Sequence, residues 1–351
     1  MSEQLNRNRS RARRRRHKRR RNRSRGPLVA GILIGILVLG AVGFLLSGRL
    51  FRPAYDQAAI YENTHYAQGI YKGELFAANL CVTDQDKAMD GFSDDTSLHA
   101  AGLFDLNKKE VLYAYHLHDR LFPASTTKIM TAYLTLKYGN LDDVVTVSAN
   151  ATDFSWDEQV CNLKTGDQVT LYDLLCGLVL HSGNDCAVAI AEHISGSVEA
   201  FADLMNQEAE ALGATNTHFV NPHGLHEEDH YTTAYDLYLM FNACVADQRF
   251  LDIIAMDSYT GTLTGDDGTV RTEQWLPSNY YSLGEADAPA GVNIFGGKTG
   301  TTDEAGSCVI LYSQDMENNP YISVVMGADD KTILYDDMTQ LLAAGITGGL
   351  K

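Results

Sequence analysis

The chain has 351 residues and a formal net charge of −17, enough sequence for one large domain or two small ones with a real core. The charge is not spread evenly. Residues 1–27 hold 13 of the 28 Lys/Arg (Arg7 to Arg25, including Lys18) against one acid, Glu3, so the rest carries 15 basic and 44 acidic residues. Those counts exclude a single uniform object: a basic leader precedes an acidic body.

Between the two lies the uncharged text LVAGILIGILVLGAVGFLL, bounded by Leu28 and Leu46. As a helix it would rise roughly 28 Å, about the thickness of a bilayer hydrocarbon core. Basic residues before it place the N-terminus inside by the positive-inside rule, so the body is expected outside the cytoplasm. A cleaved signal peptide is the rival reading, but the basic region is long and Ser47-Gly48-Arg49-Leu50-Phe51-Arg52 offers no A-x-A-type site. The arginine run has the composition to meet nucleic-acid phosphates or anionic lipid heads. Immediately before a span it reads as topology and lipid contact, and no nucleic-acid partner is expected.

The domain organisation expected is a basic cytoplasmic tail (1–27), a transmembrane helix (28–47), a juxtamembrane stalk (48–95) and a catalytic domain (96–351). The text from Asp84 to Ser97 is polar and acidic and reads as loop. Strand text begins at Leu98, and residues 98–104 and 111–115 flank a turn at Asn107-Lys108-Lys109, a hairpin pattern. Helical periodicity follows over residues 125–138, 171–180, 185–193, 198–212 and 235–245. After Lys298 the pattern returns to strands, at 308–312 and 321–326, and an amphipathic helix over about 331–344 closes the chain. Strands at both ends of the domain around a helical block predict an α+β fold: an antiparallel sheet flanked by helices, with a helical subdomain inserted. Six cysteines are scattered through a domain too large to need staples. Their even number suits an oxidising compartment, but no pairing is indicated and no C-x-x-C pair suggests zinc. Cys176 and Cys186 sit in apolar text, where a thiol packs as a small hydrophobe.

Three short motifs carry the chemistry. Ser125-Thr126-Thr127-Lys128 follows Pro123-Ala124 and opens a nearly all-apolar helix. Ser125 then stands near a helix N-terminus, where free N–H groups favour developing negative charge, and Lys128 shares its face. Buried there, the lysine has its charged form disfavoured and can act as a neutral base for the serine. Ser182-Gly183-Asn184 falls between two apolar helical segments, so it is a tight loop. Its hydroxyl can relay a proton and its amide can orient both lysine and substrate carbonyl. Lys298-Thr299-Gly300 follows Gly296-Gly297 and precedes a strand. With Thr301 it forms a polar patch suited to a carboxylate, and a cationic Lys298 helps keep Lys128 neutral. Each motif alone reads as something ordinary: a serine cap with a surface lysine, an interhelical turn, a glycine-rich turn.

Together, and in this order, they resemble the low-molecular-mass penicillin-binding proteins of the D-alanyl-D-alanine carboxypeptidase family. The resemblance extends through Phe122-Pro123-Ala124 before Ser125, Leu180-His181 before Ser182, and Thr301-Thr302 after Gly300. It includes Thr217-His218-Phe219-Val220-Asn221-Pro222-His223-Gly224-Leu225 and His230-Tyr231-Thr232-Thr233-Ala234-Tyr235-Asp236-Leu237. It runs from about residue 98 to 345. It implies a β-lactamase/transpeptidase-like fold and a two-step reaction on peptidoglycan stem peptides ending in D-Ala-D-Ala, with no cofactor or metal. Ser125 attacks the carbonyl between the two D-alanines, D-alanine leaves, and water cleaves the acyl-enzyme; β-lactams act as covalent inhibitors. Ser125, Lys128, Ser182 and Asn184 are the catalytic residues implied. Lys298, Thr299, Gly300 and Thr301 bind substrate, with the backbone N–H groups of Ser125 and Thr301 as oxyanion hole.

The chain departs from larger family members, which add a C-terminal β-domain and an amphipathic membrane helix, and the segment before the third motif keeps their pattern only loosely, at Ser278-Asn279-Tyr280. Four other readings compete. A D,D-endopeptidase on cross-links uses the same machinery. A β-lactamase needs a glutamate-activated water, for which Glu273-Gln274-Trp275-Leu276-Pro277 is the nearest text. A metal site would use His223, His226 and His230, although Asn221-Pro222-His223-Gly224 reads as a turn. A silent wall-binding protein would keep the fold alone.

Overall fold

The structure is a computed structural model that describes residues 76–92 and 98–348. Among the described residues, nine strands form two antiparallel sheets. The larger has the order β2-β1-β9-β8-β7, built from β1 (Ala100–Asp105), β2 (Glu110–Tyr115), β7 (Val292–Thr302), β8 (Gly306–Asp315) and β9 (Pro320–Ala328). The hairpin from the start of the domain therefore lies against the last strands, Gly102 opposite Val324 in β9. The sequence reading of one sheet closed from both ends holds, and so does its α+β class.

Helices sit on both faces of this sheet, so its inner strands are buried along their length; every residue of β1 is buried. On one face lies the last helix, Lys331–Thr347, burying Leu334, Tyr335, Met338, Leu341 and Leu342. On the other lies the helical insertion: α1 (Lys128–Tyr138), α2 (Leu171–Cys176), α3 (Asn184–Ser195), α4 (Val198–Ala211), α5 (Ala234–Val245) and α6 (Gln248–Ile254). A short α7 (Tyr280–Leu283) precedes β7, and the closing helix is α8. Thr170, Ser197, Thr233, Asp247 and Asp330 cap helices with side-chain oxygens, satisfying N–H groups that have no partner within the helix.

Three local features differ from the sequence reading. The helical text over 171–180 is α-helix only to Cys176; residues Gly177–His181 widen into a π turn that delivers Ser182. A second sheet, order β3-β4-β5-β6, comes from β3 (Val144–Thr146), β4 (Gln168–Thr170), β5 (Tyr259–Thr264) and β6 (Val270–Trp275). Its strands are short or half-exposed and give only weak patterns. Finally, residues 76–92, read as stalk, lie on the domain. The Cys81 N–H donates to the Tyr238 hydroxyl at 2.9 Å, the Tyr235 hydroxyl donates to the Cys81 carbonyl at 2.9 Å, and Lys87 bridges to Ala114. Ala77, Cys81 and Val82 are buried in this segment, and tertiary hydrogen bonds to tyrosines hold it.

The span from Leu28 to Leu46 lies outside the described residues. Among the described residues no helix is long and apolar enough to cross a membrane. All six cysteines are buried and free.

Candidate active site

The three motifs meet at one cleft of about 520 Å³, lined by Ser125, Ser182, Thr299, Gly300 and Thr301 among others. Lys128, Asn184 and Lys298 stand behind it, 0%, 3% and 2% exposed. Ser125 lies in a 3-10 turn, Ala124–Thr127, that leads directly into α1. The expected helix start is thus tighter than an α-helix for its first residues. Edge strand β7 runs beside this turn so closely that a Cβ at Gly300 would lie 2.8 Å from the Ser125 backbone nitrogen. Glycine at that position is what lets the strand edge and the nucleophile form one site.

Lys128 Nζ has three neighbours at bonding distance: Ser125 Oγ at 2.8 Å, Asn184 Oδ1 at 2.8 Å and the His223 carbonyl at 2.7 Å. Two of the three can only accept. A neutral amine has two hydrogens and one lone pair, so Asn184 and His223 take the hydrogens and the lone pair faces the serine hydroxyl. Burial, and then the nearby Lys298 charge, hold the Lys128 pKa well below the usual lysine range. The arrangement is that of a general base aimed at a nucleophile.

Lys298 projects from β7 and donates to Ser182 Oγ at 2.9 Å and to the Thr299 carbonyl at 2.8 Å. Burial lowers its pKa to about 7. Ser182 is held in the left-handed backbone region, φ 63 and ψ 31, a strained conformation for a residue other than glycine. The π turn and this kink aim its hydroxyl at Lys298. The Thr299 hydroxyl pairs with Ser278 Oγ at 2.7 Å, so the loosely matching Ser278-Asn279-Tyr280 still reaches the third motif.

Several supporting residues were not singled out by sequence. The His223 carbonyl is one, and it is fixed by its own loop: the Gly224 N–H donates to Asn221 Oδ1 at 2.7 Å, Asn221 Nδ2 donates to the Leu225 carbonyl at 3.0 Å, and the Thr131 hydroxyl donates to the Pro222 carbonyl at 2.6 Å. Gln159 is another; its carbonyl accepts the Asn184 N–H at 2.8 Å. Asp185 accepts from the N–H groups of Cys161, Leu163 and Cys186, pinning the loop before β4 beneath the second motif. Backbone acceptors leave no signature in residue type, which is why only the side-chain partners were legible.

The three histidines of the 223–230 stretch do not converge on a metal. His230 Nδ1 accepts the Val220 N–H at 3.1 Å, so its Nε2 carries the hydrogen and donates to Thr127 Oγ1 at 2.8 Å. His223 Nδ1 accepts the Leu225 N–H at 3.2 Å, and His226 packs edge-on to Phe122. Glu273 stands on β6 with its carboxylate near Arg271 and Asn162, outside the cleft lining, so it is not placed to activate a water at Ser125.

Residues 87–330 match the D-alanyl-D-alanine carboxypeptidase family of peptidases. The chain belongs to this family. Among curated relatives it is 34% identical over 250 residues to the D-alanyl-D-alanine carboxypeptidase DacF of Bacillus subtilis, a match covering 69% of this chain and 60% of that protein. It is 32% identical over 259 residues to DacC of Escherichia coli, again covering 69% and 60%. The chain therefore spans about three fifths of the length of these family members. Among solved structures, a Streptomyces DD-transpeptidase superposes with a TM-score of 0.67 at 27% identity, over 73% of this chain and 99% of that one. A D-alanyl-D-alanine carboxypeptidase from Mycobacterium tuberculosis gives 0.65 at 26% identity, over 75% and 96%. Membership in this family and the transpeptidase-like fold agree with the motif order read from the sequence.

Proposed function

We propose that this protein is a serine D,D-carboxypeptidase that removes the terminal D-alanine of peptidoglycan stem peptides. The observation that carries the reading is the Lys128 amine, whose lone pair is left to Ser125 because Asn184 and His223 take its hydrogens. Lys128 accepts the hydroxyl proton as Ser125 Oγ attacks the carbonyl carbon of the penultimate D-alanine. The backbone N–H groups of Ser125 and Thr301 stabilise the oxyanion. The C–N bond then breaks as the proton taken up by Lys128 passes through the Ser182 hydroxyl, itself bonded to Lys298, to the leaving amine, which frees the Lys128 lone pair for the second step. Lys298 with the Thr299 and Thr301 hydroxyls holds the terminal carboxylate. Water, deprotonated by Lys128, cleaves the ester and restores Ser125.

The apolar text from Leu28 to Leu46 and the arginines before it support a single-pass anchor in the bacterial cytoplasmic membrane, N-terminus inside, with the site on the outer side where stem peptides lie. Labelling by a fluorescent penicillin tests the acyl-enzyme: the wild type should label and Ser125→Ala should not, and an unlabelled wild type would overturn the reading. Release of D-alanine from a pentapeptide, set against cleavage of a cross-linked dimer, separates carboxypeptidase from endopeptidase.

A further inference from the structure

Trp156 is 96% exposed, although an indole is one of the largest apolar surfaces a chain can bury. It does not hang from a loose end. The turn that carries it is closed by the Glu158 N–H donating to the Ser155 carbonyl at 3.1 Å and by the Ser155 N–H donating to the Glu158 carboxylate at 2.6 Å. Both stems of the turn touch the active site. Phe154 stands edge-on to the His223 ring, centroids 5.6 Å apart, beside the carbonyl that holds Lys128. Gln159 lines the cleft and binds Asn184. The fold thus presents an uncovered, braced indole beside the catalytic cleft.

We propose that Trp156 is a stacking platform for a pyranose ring of the glycan strand that carries the stem peptide. This rests on the peptidoglycan reading above. A pyranose has one face of C–H groups and an edge of hydroxyls; the flat indole covers the first, and nearby carboxylates accept from the second. Asp157 is exposed on the same turn and Asp153 is exposed two residues before it. These acids oppose insertion into an anionic lipid surface. Reach is also consistent: four extended stem residues span at most about 14 Å, and Trp156 is three residues, at most about 11 Å, from cleft-lining Gln159.

The chain has two tryptophans, and Trp275 is 1% exposed, so the emission of a solvated indole reports on Trp156. Titrating the full-length protein with a peptide-free tetrasaccharide of alternating N-acetylglucosamine and N-acetylmuramic acid should give a saturable blue shift and protection from acrylamide quenching. In kinetics, Trp156→Ala should lower the ratio of kcat/KM for a disaccharide-pentapeptide to that for the free pentapeptide by about fivefold, with Trp156→Phe retaining part of it. No spectral response to the sugar together with an unchanged ratio would overturn the proposal. So would a blue shift with anionic vesicles and none with the sugar, which would assign the indole to a membrane. Penicillin labelling at Ser125 needs no glycan, so a labelled protein without the sugar response refutes the subsite alone, whereas an unlabelled one refutes the parent reading.

Discussion

Two lysines are buried within one cleft, and their surroundings differ. Around Lys128, in the helical half, Asn184 and the His223 carbonyl accept the two amine hydrogens and the lone pair is left to the Ser125 hydroxyl. No carboxylate is among these partners, so burial holds the Lys128 pKa well below the usual lysine range. Around Lys298, on the edge of the sheet, two acceptors are fixed and burial brings the pKa only to about 7. One ammonium hydrogen remains for a ligand. A base is made by filling a lysine's donors with neutral partners, and an anion site by leaving one of them open.

Lys128→Arg tests the first half of that contrast most severely. Arginine keeps a charge and cannot serve as a base, so acylation by penicillin should fall by about 10³ or more, read by stopped-flow labelling. A residual rate within tenfold of wild type would remove Lys128 from the base role.

The brace behind the base comes next. A Cβ at Gly224 would lie 1.8 Å from the Ala124 carbonyl oxygen, at φ +90 where side chains are strained. Gly224→Ala should therefore cost about 3 kcal/mol in urea unfolding and slow acylation along with it. Lost stability with normal acylation would mean that the loop supports the fold without positioning Lys128.

On the sheet edge the expected effects are smaller and depend on pH. Lys298→Met should weaken kcat/KM for a carboxylate-terminated peptide by about 10- to 100-fold, the scale of a charged hydrogen bond. In the wild type, kcat/KM for that peptide should decline as pH rises through about 7, because the free enzyme loses its ammonium there. A C-terminally amidated peptide should show no such limb; the same decline with both would place the titration elsewhere.

Near neutral pH the smallest effect concerns His230, which braces Thr127 and matters only as acid is added. The unfolded ring takes a proton near 6.5 and the buried one only near 3. The stability it contributes is complete above pH 6.5 and is lost as pH falls toward 3, at about 1.4 kcal/mol per pH unit. In His230→Gln the acid dependence of Tm should be shallower by that one proton, and an unchanged slope would show that another group governs acid unfolding.

Much of the site was readable before any coordinates because its chemistry needs particular side chains at fixed spacings. Ser125 and Lys128 are three residues apart on one turn, and Ser182, Asn184 and Lys298 are polar interruptions of apolar text. The strands and helices around them were readable from apolar periodicity and turn residues, as with the hairpin at Asn107-Lys108-Lys109. The second sheet was harder. β5 and β6 alternate regularly but bury few large apolar side chains, and the signal that could have found them is their threonines about the Gly265-Asp266-Asp267-Gly268 turn.

The sequence alone determined the kind of fold and the order of the motifs, because periodicity and residue type are local properties; the roles proposed for Ser125, Lys128 and Lys298 came with the family resemblance. Only the tertiary structure decided how those residues work. It brought the His223 carbonyl, 95 residues along the chain, against Lys128, turned Ser182 into the left-handed region toward Lys298, and set Trp156 in solvent beside the cleft. Protonation and exposure follow from which groups come together in space, and backbone acceptors that settle them carry no mark in the residue alphabet.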